Sequence, residues 1–421
     1  MSIDELMLRR RSLLVGGVAA CALPLLPGCA PDESDAGLGD DGGDLIEEVT
    51  DVSHTEVRRQ SIGNCWAYAA VGWAESLHLA RTGNRVNISE SWITFWDWYA
   101  KIQQSYGGIE RNATSMRDEI STGGWWDTAA NILRNKGVVF EADFIPEEAT
   151  AERSTRQSEA LAAINADLNG MGELVDPTRR RDGQIVLNRL MEAWRLGDDV
   201  RALIRRVFGL NGRGTLSSTR ERALGFIKRP TDFQVRTSYL RNGRVSSIDT
   251  TLASVVPGGA YAWKSASYPS YAQGRIDLQR KVFRALNAQQ PVLISWLVDF
   301  NARTARSVFD LTAISMPGRQ GGHLTVMEDY QVTIREPNRE PRTLAAGTPA
   351  SAADMALAER YGELEFIRIK NSWGNNADPS NTGTFGGYND LLINYLNGPI
   401  RWTADSSMRT PWSSVILPNG F

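Results

Sequence analysis

Sulfur and imidazole are scarce in this chain of 421 residues, which holds three cysteines and three histidines. So few cysteines exclude a disulfide framework. Neither residue type is spaced as a metal site requires, and no glycine-rich phosphate loop appears, so no cofactor is implied. A charge of one sign is also missing. Lys plus Arg number 46 against 49 for Asp plus Glu, and a net charge of −3 gives nucleic acid no electrostatic reason to bind. The apolar run from Leu13 to Leu26 is 14 residues long, short of the roughly 20 that a membrane-spanning helix needs. What remains is ordinary globular material, 42% hydrophobic and 23% charged, enough for a real core and long enough for two or three domain-sized units.

The run Leu13–Leu26 follows Arg9-Arg10-Arg11 and suits the apolar region of an export signal, with a loose likeness to twin-arginine signals. Leu26-Pro27-Gly28-Cys29 resembles a bacterial lipobox, in which Cys29 would carry lipid and become the first mature residue, anchoring the protein to a membrane. A plain secretory signal cut nearby is the alternative. Residues 30–52 are acidic and glycine-rich, with no Lys or Arg from Ala30 to Val57, and read as a flexible tether. Cys21 would leave with the signal and Cys29 would be capped. Cys65 is then the lone thiol of an exported protein.

The folded part is expected to begin near Ser53. Residues 53–146 read as a helical lobe. Asn64 is a candidate N-cap, and Trp66, Ala69, Ala70, Trp73 and Leu77 share one face of a helix from Cys65 to about Arg81, stopped by Gly83. Helices are also expected over Ser89–Tyr99 and Trp126–Asn135. Residues 147–228 read as a helical insertion that borders the functional cleft. Residues 229–421 turn to Val, Thr, Tyr and Ser between turns and favour strands. Residues 334–362, rich in Pro, Ala and Glu, read as an extended loop between adjacent strands.

Cys65 would sit in the first turn of its helix, where unpaired N–H groups and the helix dipole favour a thiolate. Gly63 lets the backbone approach closely just before it. Of the three histidines, His54 lies in the leading segment, and His78 lies more than three turns along the same helix. That leaves His323, at the start of a strand-like run, as the base. The alternating stretch Phe366–Gly374 puts Ile367, Ile369 and Asn371 on one face. The Asn371 carbonyl could then accept from one imidazole nitrogen and leave the other facing the thiol.

Gln60, Cys65-Trp66-Ala67, Gly322-His323 and Lys370-Asn371-Ser372-Trp373-Gly374, in this order, resemble the papain-like cysteine peptidases. Gly123-Gly124-Trp125 resembles the family's segment that pairs with extended substrate, and Gly386-Gly387-Tyr388 its closing strand. The resemblance covers about residues 55–145 and 276–395. It implies an α+β fold of two lobes, one helical and one an antiparallel β-barrel, with the site in the cleft between them. It implies a nucleophile at Cys65, acid–base work at His323, orientation by Asn371 and shielding of that hydrogen bond by Trp373. Gln60 and the Cys65 N–H would form the oxyanion hole, and a peptide or protein would be the substrate. The chain departs from the family in several places. Ile62 stands where a second, disulfide-bonded cysteine is common. Gln60 is one residue closer to Cys65 than usual. His323 follows Cys65 by 258 positions, against about 130–150 in papain relatives. The stretch between Cys29 and the folded part is too short for an inhibitory propeptide domain. The same acyl-enzyme could serve acyl transfer to an amine, and a catalytically silent binding protein on this scaffold is the reading from another class.

Overall fold

The computed structural model describes residues 52–104, 108–374 and 386–421. The export signal, the lipobox Cys29 and all of the tether but Val52 lie outside the described residues. Val52 itself is already buried in the same core as Leu278 and Val282.

The first helix, α1 (Cys65–Thr82), begins at the cysteine and ends on Gly83, whose left-handed φ of 73° lets its N–H reach the Leu79 carbonyl. Every residue from Cys65 to Leu77 is buried, so α1 is a central helix covered on all sides. Asn64 does stand at the N-cap, but its side chain makes no cap bond. The amide is drawn away to Thr94 Oγ1 and Gln157 Oε1, both at 3.0 Å. Helix α2 (Glu90–Gln103) is capped by Ser89 through Trp92 N and is rich in buried aromatics. Helix α3 (Trp126–Lys136) follows the Gly123-Gly124 segment.

Residues 147–228 contain three α-helices, α4 (Thr155–Asp167), α5 (Gly183–Ala193) and α6 (Asp198–Phe208). They build one core with α2: Trp92, Phe95, Trp96 and Trp98 pack with Leu187, Trp194 and Phe208. The Trp98 and Trp194 rings lie 5.3 Å apart, and Trp96 and Phe208 4.9 Å apart. A helix as aromatic as α2 must bury most of its surface, and these helices supply much of its cover. The hairpin β1 (Gln234–Arg241) and β2 (Arg244–Thr251) turns at Asn242-Gly243, both at positive φ, as a tight hairpin demands. Val235, Leu252 and Val255 then pack with Trp73 and Leu77 of α1.

The main sheet comprises β3 (Lys264–Ser267), β4 (Leu293–Asp299), β5 (Val308–Phe309), β6 (Gln320–Ile334), β7 (Arg342–Leu344), β8 (Gly362–Lys370), β9 (Tyr388–Leu392) and β10 (Trp412–Leu417). Its order is β3-β10-β4-β6-β8-β9-β5, with β7 beside β6. All pairs are antiparallel except β9 with β5. The molecule is therefore α+β, with helices set against a largely antiparallel sheet, but the expected closed barrel is not formed among the described residues. The path ends at β5, which is only two residues long, and its free edge is taken by an isolated bridge from Arg303 to Phe309. Helix α7 (Ala272–Asn287) covers one face of the sheet with Leu278, Val282, Phe283 and Leu286. The stretch expected as an extended loop holds β7 and a helix, α8 (Ala352–Tyr361). Ser351 caps α8 through Asp354 N. Its alanines favour helix, and Glu359 ties it to Arg284 of α7 at 2.9 Å. A third core, with Trp66, Trp73, Leu293, Leu324, Val326 and Ile416, seats α1 directly on the sheet.

Candidate active site

The start of α1 and the strands β3, β10, β4 and β6 enclose a cleft with about 900 Å³ of empty space, part of it open to solvent. Cys65, Gly123, Gly124 and His323 all line it. On one wall Cys65 is the first helical residue. On the other, His323 lies on β6 opposite Trp296 of β4, and Asn371 follows the last residue of β8. The antiparallel pairing of β6 with β8 brings two residues 48 positions apart into contact. His323 Nε2 lies 2.7 Å from Asn371 Oδ1. The Trp373 ring stacks on the imidazole with centroids 4.9 Å apart and planes at 13°. His323 Nδ1 is buried and has no hydrogen-bond partner among the described residues.

The thiol is buried too. The Leu324 backbone lies close enough to the thiol to work against the rise in its pKa, which sets the sulfur near the strand that carries His323. The helix start was expected to lower its pKa; instead burial pushes the Cys65 thiol up to about 11, against smaller lowering by backbone hydrogen bonds. Burial also pushes the His323 imidazole down to about 4, while the bond to Asn371 works the other way. Taken singly, both groups are neutral at pH 7, because a dry site disfavours either charge.

Gln60 is fully buried and joins the two walls. Its N–H donates to the Ser372 carbonyl at 2.8 Å, its Oε1 accepts from the Ser372 hydroxyl at 2.6 Å, and its Nε2 donates to the Ile62 carbonyl at 2.9 Å. It is not among the residues lining the cleft. Gly123 and Gly124 flank the cleft on a loop held by Lys101, whose Nζ donates to the Ser121 and Gly123 carbonyls at 2.8 and 2.5 Å. A Cβ on Gly124 would stand 2.4 Å from the Trp66 ring, so only glycine fits there. Cys29 lies outside the described residues.

Three contributors were not read from the sequence. Gln157 holds the residue before the nucleophile, Lys101 holds the glycine loop, and Asn389 Oδ1 accepts from Asn371 Nδ2 at 2.7 Å. The one available signal for Asn389 is a pair of polar residues, Asn389-Asp390, inside an otherwise apolar strand. Among the described residues none between 147 and 228 lines the cleft. That stretch supports Cys65 from behind, where Gln157 meets Asn64, rather than bordering the cleft as expected.

No family model and no curated protein matches the chain. Among solved structures it is similar to PepW from Lactobacillus rhamnosis HN001, at 13% identity and TM-score 0.40, over 89% of this chain and 82% of that one. It is also similar to the cysteine protease and lectin-like domains of Cwp84, a surface layer associated protein of Clostridium difficile. There the identity is 11% and the TM-score 0.33, over 86% of this chain and 48% of that one. A structure determined for the mite allergens Blo t 1 and Der p 1 gives 12% identity and TM-score 0.34, over 96% and 78%. None of the three reaches a TM-score of 0.5, and the chemistry below rests on this chain's own residues.

Proposed function

We propose that this chain is a papain-like cysteine peptidase that hydrolyses peptide bonds through an acyl-enzyme on Cys65. The observation that carries the reading is the state of His323. Its Nε2 is committed to Asn371 at 2.7 Å, its Nδ1 is buried without a partner among the described residues, and it lines the same cleft as the cysteine. A neutral ring that donates from Nε2 carries its lone pair on Nδ1.

The bound peptide would lie along Gly123-Gly124. As Sγ attacks the scissile carbonyl carbon, Nδ1 takes the thiol proton, and the carbonyl oxygen becomes an oxyanion. The Cys65 N–H, at the helix start, and Gln60 Nε2 are the proposed donors to it. An amide nitrogen carries two hydrogens, and this role calls for the one not given to Ile62. The Nδ1 proton then passes to the leaving nitrogen, the C–N bond breaks, and a thioester remains. Water, deprotonated by Nδ1, attacks the thioester and releases the acid and the thiol. Burial favours the neutral pair at rest. The thiolate and imidazolium form together, and their attraction, about 4 kcal/mol at 4 Å in an effective dielectric near 20, offsets part of the cost of desolvated charge. Trp373 keeps water from the His323–Asn371 bond.

Export and lipid attachment at Cys29 belong to the same proposal. The test is stoichiometric labelling with an epoxide or vinyl-sulfone peptide, alongside hydrolysis of a mixed peptide pool. Wild type should label once and turn over, while Cys65→Ala should do neither and His323→Ala should lose hydrolysis. A Cys65 no more reactive than a free thiol, with no turnover, would end the peptidase reading. Cys29→Ser should move the protein from the membrane to the soluble fraction, and unchanged membrane association would end the lipid reading.

A further inference from the structure

Asn389 belongs to none of the catalytic motifs. It sits on β9 opposite Ile369 of β8 and is 3% exposed. Both ends of its amide are identified by their partners. One end faces the Ser307 carbonyl at 2.9 Å. A carbonyl oxygen only accepts, so this end is the Nδ2 donor. Oδ1 is thereby turned to Asn371, whose Nδ2 donates to it at 2.7 Å. That leaves Asn371 Oδ1 to accept from the Ser372 N–H at 2.8 Å and from His323 Nε2 at 2.7 Å. The Ser372 N–H only donates. The chain Ser307, Asn389, Asn371, His323 thus starts on one backbone group of fixed polarity and is checked by a second. One proton placement satisfies it, with hydrogen on Nε2 and the lone pair on Nδ1. Ser307 has a left-handed φ of 57° and heads the two-residue strand β5, whose Val308 pairs with Asp390. The carbonyl that begins the chain is therefore set by the sheet itself.

We propose that Asn389 is a positioning residue, which through the Asn371 amide selects the His323 tautomer whose Nδ1 can take the Cys65 proton. Its meaning for turnover rests on the peptidase reading above, whereas the tautomer can be measured without turnover.

The test is long-range proton–nitrogen spectroscopy of the protein labelled at histidine nitrogens. His54 and His78 are separated from His323 by their persistence in His323→Ala. Wild type should show a protonated Nε2 and a bare Nδ1 on His323. Asn389→Leu leaves the Ser372 N–H as the one remaining bond that orients the Asn371 amide and should mix the two tautomers. It should lower kcat about ten- to a hundredfold, the scale of a misplaced catalytic group, with KM within about twofold. Asn389→Asp still offers oxygen to Asn371 Nδ2. It should keep the Nε2–H form, hold kcat closer to wild type than the leucine variant does, and move the acid limb of the pH profile upward. A folded Asn389→Leu with wild-type tautomer and kcat would overturn the proposal. If the leucine variant does not fold, the aspartate variant decides. A retained Nε2–H form with a histidine titration moved upward supports the role, and a lost tautomer or an unmoved titration overturns it. If wild type hydrolyses no peptide, the peptidase reading fails, and the nitrogen spectra still decide the role of Asn389.

Discussion

Around Cys65 the positioning contacts are mainly steric and apolar, whereas around His323 they are directed hydrogen bonds. Helix α1 is wedged through its own Trp73 between Trp126 and Trp263, whose ring centroids lie 5.7 and 5.6 Å from that of Trp73. The glycine loop is fitted to the Trp66 ring. The His323 wall instead uses strand register, the Asn371–Asn389 amide chain and the buried Arg368–Asp390 pair, bidentate at 2.7 and 2.9 Å. Asp390 on the His323 wall and a cluster of three glutamates on the other are also handled differently. Asp390 is matched by a guanidinium. On the nucleophile side, burial pushes Glu75, Glu90 and Glu141 each up to about 7, so they approach neutrality by holding protons. The contrast suits the chemistry. A helix fixes the position of a sulfur, whose lone pairs point broadly, but a ring that must present one particular nitrogen needs partners of fixed polarity.

The contrast breaks most visibly at Gly124. Gly124→Ala drives a methyl into Trp66, and overpacking of this kind costs about 1–3 kcal/mol. If the nucleophile wall is held by shape, KM should rise more than tenfold, the glycine loop should move, and the His323 tautomer should stay put. Kinetics with the nitrogen spectra read both. Wild-type KM would show that the loop does not dock substrate. A smaller effect is expected at Gln157, which with Lys101 is a polar exception on that wall. Gln157→Leu leaves the buried Asn64 amide with Thr94 as its remaining partner, and a partly unsatisfied buried group costs about 1–3 kcal/mol. Denaturant unfolding should register that loss, while the rate of peptide vinyl-sulfone labelling should fall only a few-fold. Equal stability would mean that the insertion helices do not brace the nucleophile.

These weights also account for what was legible in the sequence. The start of α1 at Cys65, the extent of α3 and the strand leading to Asn371 follow from local pattern: a glycine stop, helical spacing and alternation. Cys65 and His323 stood out because other thiols and imidazoles were so few. Residues whose work depends on distant partners were silent. Gln157 acts on a residue 93 positions away, and Asn389 reads as an ordinary polar strand residue until β5 and β8 lie on either side of its strand. The open sheet was hidden because closure depends on the length and edge of β5, which no periodicity records. The apolar faces of α5 and α6 were visible. That they complete the core of α2 was not, because an amphipathic pattern says that a face is covered but not by what.

The smallest effect on catalysis is expected at Glu141, whose stability effect tests whether the glutamate cluster on the nucleophile wall is tolerated by protonation. Burial raises Glu141 to about 7 from 4.5, with Glu148 adding to the shift and the nearby Ser89, Ser91 and Arg58 opposing it. The folded state therefore binds more protons than the unfolded state between pH 4.5 and 7. Its contribution to stability is full below 4.5 and is lost as pH rises through 7. His54 and His323 run the other way. Burial lowers them to about 3 and about 4, so their contribution is lost as pH falls from 6.5 toward those values. A bare melting curve mixes the two, and the difference between Glu141→Gln and wild type isolates the acid. At pH 5 the two proteins should melt within about a degree of each other. At pH 8 the glutamine variant should be the more stable by a few degrees, from a term on the order of 3 kcal/mol for a shift from 4.5 to about 7 at about 1.36 kcal/mol per pKa unit. A difference that does not change between pH 5 and pH 8 would mean that Glu141 is ionised throughout and that some other charge on this wall matches it, as Arg368 matches Asp390 on the other.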